Sequence, residues 1–511
     1  MTLSPSAKNA LTLAAVCLAS LMFGLEISSI PVILPTLETE LLSDFKELQW
    51  IMNAYTLACT AILMAIGTLA DRYGRKRLFL ISLMLFSVTT LVCGQATNTS
   101  VLIAGRFLQG MAGGAMLICQ IAVLSNQFPE GAARGRAFGS WGIVFGLGLG
   151  FGPIVGAAIV AISSWEWVFL VHIPIAIIAL ALVFMGVEES RDLQERSLDV
   201  KGIVFLSLSV FGLVWYITQA PTLGFTSPVA FTLLGATVLC LVIFIVAERS
   251  NSAPMFDFSV FRIRRFSGAL LGSVGMNFSF WPFMIYIPLY FQNALGYGNV
   301  AAGLSLLAYT LPTLLFPPVG EKLSLRYRAE VVIPAGLFTI GAGFLLMKWG
   351  SSQEAASWLT MVPGCMLACI GLGITNTPVT NTTTGSVRNE RAGMASGIDI
   401  SARMISLAIN IALMGFILVE GISDYLRSTL SGATDFSLLR QLAEGLSAGN
   451  IMMVEETPPV MNISTTIVKA ALSQGFGWVM IYGAISVWIS AICSFLIFKA
   501  NKTTFKSIVQ M

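Results

Sequence analysis

Long apolar stretches separated by short polar or charged segments recur from one end of this chain to the other. About 18 or more such residues in a row can cross roughly 30 Å of hydrocarbon as a helix. The pattern predicts fourteen spans, at 10–34, 48–70, 78–96, 100–124, 136–160, 167–187, 202–220, 228–247, 266–292, 301–319, 331–349, 356–378, 393–418 and 474–498. Glycine and proline interrupt several of them, which membrane helices tolerate; a barrel would need short alternating segments instead. The expected fold class is an all-α membrane protein. Within the fifth span, Gly148, Gly152 and Gly156 recur every four residues, as do Gly142, Gly146 and Gly150. Each series lays a smooth stripe along a helix, where another backbone can approach. Pro153 removes a donor and bends that same helix. A bend beside a bare stripe suits a moving helix–helix interface, with ordinary small-residue packing as the plainer alternative.

Composition agrees. Hydrophobic residues make up 56% of the 511, and charged ones 11%, against roughly 25% charged in soluble domains. The net charge of +3 is too small to suggest nucleic acid as a partner, but its distribution is informative. Basic residues crowd alternate loops: Arg72, Arg75, Lys76 and Arg77; Arg134 and Arg136; Arg191, Arg196 and Lys201; Arg262, Arg264 and Arg265; Lys322, Arg326 and Arg328; Arg388 and Arg391; and Lys499, Lys502 and Lys506. Lys8 joins them, while the opposite loops hold only Lys46, Lys348, Arg427, Arg440 and Lys469. The positive-inside bias places both termini in the cytoplasm of an inner (plasma) membrane protein. An odd number of spans would destroy the alternation. The first span carries Glu26 and lacks a small-residue cleavage site, so it reads as retained.

The eight cysteines lie in apolar runs without a CxxC pair, and Cys365 and Cys369, on one helix face, read as packing residues. With His172 the single histidine, a histidine metal site is not expected. No GxxxxGK[ST] loop occurs, so ATP is not the expected energy source, and no cofactor is expected. A weak internal echo links Leu69-Ala70-Asp71-Arg72-Tyr73 to Leu323-Ser324-Leu325-Arg326-Tyr327, with the carboxylate lost in the second copy. It suggests two six-helix bundles, 1–190 and 251–511, joined by a two-helix hairpin at 191–250. The loop at 420–473 is too long for a plain connection. Tyr425-Leu426, Leu438-Leu439, Leu442 and Leu446 fit short amphipathic helices interrupted at Glu455–Pro459, as a structured outer cap; a disordered insertion is the alternative.

Charged residues inside spans each cost about 2.5–3.5 kcal/mol on insertion scales. They are Glu26, Arg106, Asp399 and Arg403. Asp399 and Arg403 are spaced for an internal ion pair. Glu26 has no local partner, and a carboxyl group in an apolar site can gain and lose a proton as water access changes. Pairing with a basic drug, or a structural helix-to-helix bond, competes with that reading. Asp71, followed by Arg72 and Arg75, could latch neighbouring helices at the cytoplasmic face.

These residues bring out a resemblance. The chain resembles the major facilitator superfamily in its fourteen-span drug:proton antiporter branch. Gly67-x-Leu69-Ala70-Asp71-Arg72-x-Gly74-Arg75-Lys76 matches the superfamily's cytoplasmic loop motif. Leu102-x-x-x-Arg106-x-x-Gln109-Gly110 is similar to the fourth-helix motif, whose arginine is implied to take part in proton transfer. Gly148-x-x-x-Gly152-Pro153-x-x-Gly156 resembles the antiporter motif, with Ala157 where a final glycine is usual. Gln49-Trp50-Ile51-x-x-x-Tyr55, Trp165-x-Trp167-x-Phe169-Leu170, Pro254 to Phe266 and Tyr290-x-Gln292 extend the likeness over nearly the whole chain. Departures are Glu26 where aspartate is usual, Asn53 where some quaternary-ammonium exporters carry an acid, and His172 where asparagine is usual. Asp399 matches an acidic position of that subgroup, and Arg403 a common arginine. Whether His172 titrates or is only buried is left open by the residues alone.

The resemblance implies alternating access around a midplane site. Glu26, Arg106, Asp399 and Arg403 would couple protons, and a monomer would export lipophilic or cationic drugs across the bilayer. A cavity wall is expected from Asn53, Asn277, Phe280, Trp281, Phe283 and Tyr286, though membrane-facing packing explains each aromatic equally well. An exporter of an endogenous siderophore or lipid-like metabolite is the alternative. A non-transporting sensor or an enzyme is remote, because no catalytic constellation is present.

Overall fold

Polar residues placed just before apolar runs start many of the helices. A computed structural model describes residues 4–43, 45–128, 131–191, 199–224, 227–251, 258–353, 355–388, 391–430, 436–447 and 464–499, and no strand occurs among them. Ser4 caps α1 (Pro5–Glu40), accepting from the amide of Ala7, an arrangement favoured because the first helical N–H groups have no partner of their own. α2 (Phe45–Tyr73) and α3 (Arg75–Gly94) follow. The Asn98 carboxamide, 2.9 Å from the Val101 amide, starts α4 (Thr99–Gln127). α5 (Gly131–Ile162), the short α6 (Glu166–Leu170) and α7 (His172–Gly186) come next. Asp199 caps α8 (Val200–Leu223), and Ser227 with Pro228 begins α9 (Pro228–Ser250).

Prolines shape the following region. α10 (Arg264–Asn277) and α11 (Phe283–Leu289) are separated around Pro282, and a π-turn over Tyr290–Ala294 follows Pro288. α12 (Asn299–Thr310), α13 (Pro312–Leu315) and α14 (Pro317–Tyr327) are likewise divided at Pro312 and Pro317. Each proline withholds a helix hydrogen bond and crowds the preceding turn. The chain then resumes long helices: α15 (Ala329–Ser351), α16 (Trp358–Gly385), α17 (Ala392–Thr429), the short α18 (Phe436–Ser447) and α19 (Thr465–Lys499).

Among the described residues, eleven segments are long and apolar enough to cross a bilayer, or twelve if α2, bent by 50° between Leu63 and Ala65, is one span. The two expected spans outside that count, 266–292 and 301–319, are the proline-broken ones. Length and apolarity therefore establish fewer spans than the fourteen expected from the sequence. α17 also runs past its expected end, and α18 buries Leu439, Leu442 and Leu446. Arg440 of α18 lies 3.5 Å from Glu420 and 3.2 Å from Glu444. The expected break at Glu455–Pro459 lies outside the described residues.

Four apolar clusters organise the packing of the described residues, the smallest around Ile33, Ile51, Leu102, Trp165 and Phe169. One gathers Phe23, Tyr55, Phe79, Phe86, Phe138 and Trp141 from α1 to α5, together with α7. Another joins Phe280, Phe283, Tyr309, Phe344 and Phe476 from the carboxy-terminal helices. The third ties α8 and α9 to α2, α10 and α17 through Leu57, Val214, Phe244, Phe266 and Ile398. In the apolar window of α4, 83% is buried, against 17% in that of α9, so α4 is central and α9 peripheral. Lipid tails are as apolar as these side chains, so helix association depends on close fit. α15 and α16 achieve it through Gly336 and Gly371, where an added Cβ at Gly371 would stand 2.6 Å from the Gly336 carbonyl oxygen.

Candidate functional site

Glu26 and Arg106 meet on facing sides of α1 and α4. Both are buried, and an Arg106 guanidinium nitrogen donates to Glu26 Oε1. The same nitrogen reaches Gln109 Oε1 at 2.7 Å, one helical turn on, while Arg106 Nε donates to the Ile51 carbonyl at 3.2 Å. Gln109 is held by donating to Thr90 Oγ1 at 2.8 Å. The Tyr55 ring lies under the guanidinium, 4.4 Å from its centre, where the ring's negative face attracts a cation. A buried charge this well paired avoids the several kcal/mol that an isolated ion would cost. His172, at the start of α7, completes the centre: Nδ1 is 3.5 Å from Glu26 Oε2. Arg106 stands seven residues into α4, about 10 Å from its start at 1.5 Å per residue. The centre thus sits toward the end of the bundle remote from the Asp71 loop.

The second expected pair forms within α17. Arg403 donates to Asp399 Oδ2 at 3.0 Å, to Asn376 Oδ1 at 2.8 Å and to Thr380 Oγ1 at 2.7 Å on α16. Ser273 of α10 donates to Asp399 Oδ1 at 2.6 Å, and Asn277 donates to the Ser273 carbonyl at 3.0 Å. The Asp399–Arg403 pair therefore ties three helices together, α10 through the carboxylate and α16 through the guanidinium, which an ion pair confined to one helix would not do.

The loop after α2 forms a latch between distant parts of the chain. Arg75 donates to Asp71 Oδ1 at 2.9 Å and to Asn126 at 3.1 Å. Asp71 also accepts from the amides of Gly393 and Met394, at the amino terminus of α17, where unpaired N–H groups and the helix dipole favour an anion. Gly67 is required by close approach: an added Cβ would stand 2.5 Å from the Gly393 carbonyl oxygen. Gly74 has a φ of 114°, in the region natural to glycine, and Glu189 accepts from the Lys76 and Arg77 amides that follow it. Arg72 lies over the Tyr73 ring.

A second latch was missed in the sequence. Arg134 of α5 donates to Asn381 Oδ1 at 2.8 Å and to Thr384 Oγ1 at 2.7 Å, both on α16. Asn381 in turn donates to Glu321 of α14 at 2.5 Å. The echo loses its carboxylate at Leu325, but Glu321, one turn earlier, supplies one. Glu321 stands in register with Gly67 of the first copy, and that offset was the available signal.

The two glycine stripes of α5 face different partners. Gly148, Gly152 and Gly156 pack on α1, where Cβ atoms would run into Leu21 and Gly24, Ser28, and Ser29 in turn. Ser28 Oγ lies 2.8 Å from the Gly24 carbonyl and 3.0 Å from that of Gly148, across the contact. Gly142 and Gly150 instead face Thr377 of α16 and Thr310 of α12, with Cβ atoms 2.9 Å from each. Pro153 lies inside this helix, next to Gly152.

The sequence model of the Major Facilitator Superfamily matches residues 16–411. The chain belongs to that superfamily. It is 31% identical over 423 residues to the multidrug resistance protein Stp of Mycobacterium tuberculosis, across 83% of this chain and 78% of that protein. It is 28% identical over 416 residues to the tetracenomycin C resistance and export protein of Streptomyces glaucescens, covering 81% and 76%. The human organic anion transporter MFSD10 has the same fold, with a TM-score of 0.62 at 13% identity over 98% and 100% of the two chains. This is a multi-pass membrane transporter whose relatives are drug- and antibiotic-resistance exporters.

In this major facilitator chain Phe280 and Trp281 keep ring contact at 5.6 Å, and the expected cavity residues otherwise find different partners. Phe280 stacks on Tyr309 at 4.3 Å, Phe283 packs on Phe344 at 4.4 Å, and Tyr286 donates to the Ile411 carbonyl at 2.7 Å. Trp281, half-buried, reaches across to Phe145 of α5 at 6.4 Å. Asn53 is half-buried on α2 and joins neither polar network. An apolar cavity of about 380 Å³ between α2, α4 and α8 is walled by Trp50, Phe107, Phe211 and Trp215. Nothing in the local sequence pattern signals that grouping, because α8 meets α2 and α4 only through folding.

Proposed function

We infer that this transporter is a proton-coupled antiporter that exports lipophilic drugs or biocides, cationic ones among them, by alternating access. The observation that carries the reading is the Glu26 carboxylate, fully buried in a membrane helix and held by Arg106. Such a group is costly in hydrocarbon and is kept where a proton or ion is handled. Arg106 is its counter-charge; protonation would release that pairing and loosen α1 from α4. Asp399, bonded to Ser273 of α10 and joined to α16 through Arg403, is the second coupling site. The architecture we propose is fourteen spans, as bundles 1–190 and 251–511 with a hairpin at 191–250. Both termini face the cytoplasm of the plasma membrane.

On that orientation the Asp71 and Arg134 latches close the cytoplasmic end, and the Thr310 and Thr377 contacts of α5 continue the closure inward. The Glu26 centre would then take its proton from outside. One proton moving inward yields about 2.3 kcal/mol per 100 mV and about 1.4 per pH unit. A monovalent cation exchanged one-for-one feels only the pH component, so export of a cation draws on the membrane potential only when more than one proton is exchanged.

The test is antiport in everted vesicles across a panel of lipophilic compounds. Addition of a substrate should dissipate an imposed pH gradient. Glu26→Gln and Asp399→Asn should each abolish this while expression is retained. Transport that persists in both variants would sink the coupling assignment. Gradient loss confined to an endogenous product would favour a metabolite exporter.

A further inference from the structure

The single histidine of the chain lies at the Glu26 centre. His172 is 1% exposed, and Nδ1 stands 3.0 Å from the Phe169 carbonyl oxygen and 3.5 Å from Glu26 Oε2. A carbonyl oxygen only accepts, so in the neutral ring the hydrogen is on Nδ1. Nε2 is then a bare lone pair, buried without a hydrogen-bond partner. Glu26 Oε2 also lacks a hydrogen bond, because Arg106 engages Oε1. Leaving a buried acceptor unsatisfied costs about 1–3 kcal/mol, and here two such acceptors flank one imidazole. The Phe86 ring holds the imidazole edge-on at 6.1 Å.

We propose that His172 is the proton-transfer residue through which Glu26 is loaded from the end of the bundle remote from the Asp71 loop. The inference rests on Glu26 being a proton site. A proton adds to the Nε2 lone pair, giving an imidazolium. The Nδ1–H bond then breaks, and that proton forms an O–H bond to Glu26 Oε2. The net change is one external proton and one carboxylate converted to one carboxylic acid, with no electron transfer. The imidazole is left neutral and protonated on Nε2, so two lone pairs, Nδ1 and the Phe169 carbonyl, face each other. Their repulsion favours a reset in which Nε2 gives its proton to water as hydronium and Nδ1 takes a proton from hydronium rather than from Glu26, so the ring regains its first tautomer with no net proton gained or lost.

The neighbouring charges suit transfer rather than storage. Among the described residues, the charged group against the ring is Glu26 from α1, whose own partner is Arg106 from α4. Tyr55 of α2 lies on the guanidinium, and Cys93 of α3 contacts Gln109. The Glu26 carboxylate lies 3.5 Å from Nδ1, so a proton taken up by the ring has an anion within reach to pass on to.

Infrared spectroscopy on the purified full-length protein tests this without a substrate. The protonated-carboxyl band of Glu26 is raised by lowering the pH and identified by its loss in Glu26→Gln, and its hydrogen–deuterium exchange is timed after transfer to heavy water at that pH. His172→Asn and His172→Gln can each offer the Phe169 carbonyl a donor but cannot take up and pass on a proton. Either folded variant should keep the band and slow its exchange about a hundredfold. A merely structural role predicts the opposite, because loosened packing admits water and speeds exchange. Unchanged or faster exchange in a folded variant overturns the proposal and leaves Glu26 as a proton site. If no protonated-carboxyl band is lost in Glu26→Gln at any pH at which the protein stays folded, the Glu26 reading itself is overturned, and the relay with it.

Discussion

Substituting neighbouring glycines of α5 should separate folding from conformational change. An alanine Cβ at Gly148 would lie 2.8 Å from the Leu21 carbonyl oxygen and 3.0 Å from Gly24 Cα. Those are backbone atoms of α1, which cannot yield without moving the helix. An alanine Cβ at Gly150 would lie 2.9 Å from Thr310 Cβ of α12, and that clash is relieved if α5 and α12 part during the transport cycle. At Gly139 the nearest atom would be Pro318 Cα at 3.9 Å, an ordinary van der Waals separation. Overpacking costs about 1–3 kcal/mol, and replacing a helical glycine by alanine returns about 0.8–1.0 kcal/mol. Gly148→Ala should therefore lower the melting temperature. Gly150→Ala should leave melting nearly unchanged but disfavour the closed state by about 1–3 kcal/mol, a shift of about 5–150-fold. Gly139→Ala should do neither. Melting in detergent reads the first effect. Distance distributions between spin labels at the exposed Arg136 and Lys322, on either side of the Arg134 latch, read the second. If Gly148→Ala and Gly150→Ala lower melting equally with the same label distances, the two stripes do not have separate roles and the reasoning fails.

The second latch yields a related expectation. Asn381→Ala removes bonds to both Arg134 and Glu321, each hydrogen bond to a charged group being worth about 1.5–3 kcal/mol; the same spin labels should report a larger open population. Arg106→Lys keeps the charge but cannot bridge Ile51, Glu26 and Gln109 together, so gradient-driven transport should be lost even though the protein reaches the membrane, which efflux measured at matched expression checks. Ser273→Ala removes the donor to Asp399; it should weaken thermal stability by about 1.5–3 kcal/mol, and an unchanged melting temperature would show that α10 does not depend on this hydrogen bond.

Much of this protein follows from its residues in order. Apolar length makes it a membrane protein, because no other element satisfies the backbone in hydrocarbon. The rarity of charge in those runs made Glu26, Arg106, Asp399 and Arg403 stand out, because each such charge is expensive there. The spacing of Asp399 and Arg403 on one helix was enough to anticipate their pair, since neighbours within a helix are set by its period. Which helices meet is not local in sequence, and only the tertiary structure decided it. Folding brought His172 to Glu26 from α7, gave Asp399 its Ser273 partner from α10, and passed Arg134 through Asn381 to Glu321. It also broke 266–292 and 301–319 at prolines that a count of apolar residues passes over. The glycine run shows the division most clearly. Its four-residue period in the sequence marks two bare stripes, but which one grips α1 and which one meets α12 and α16 depends on how α5 is rotated among its neighbours, a quantity that packing alone determines.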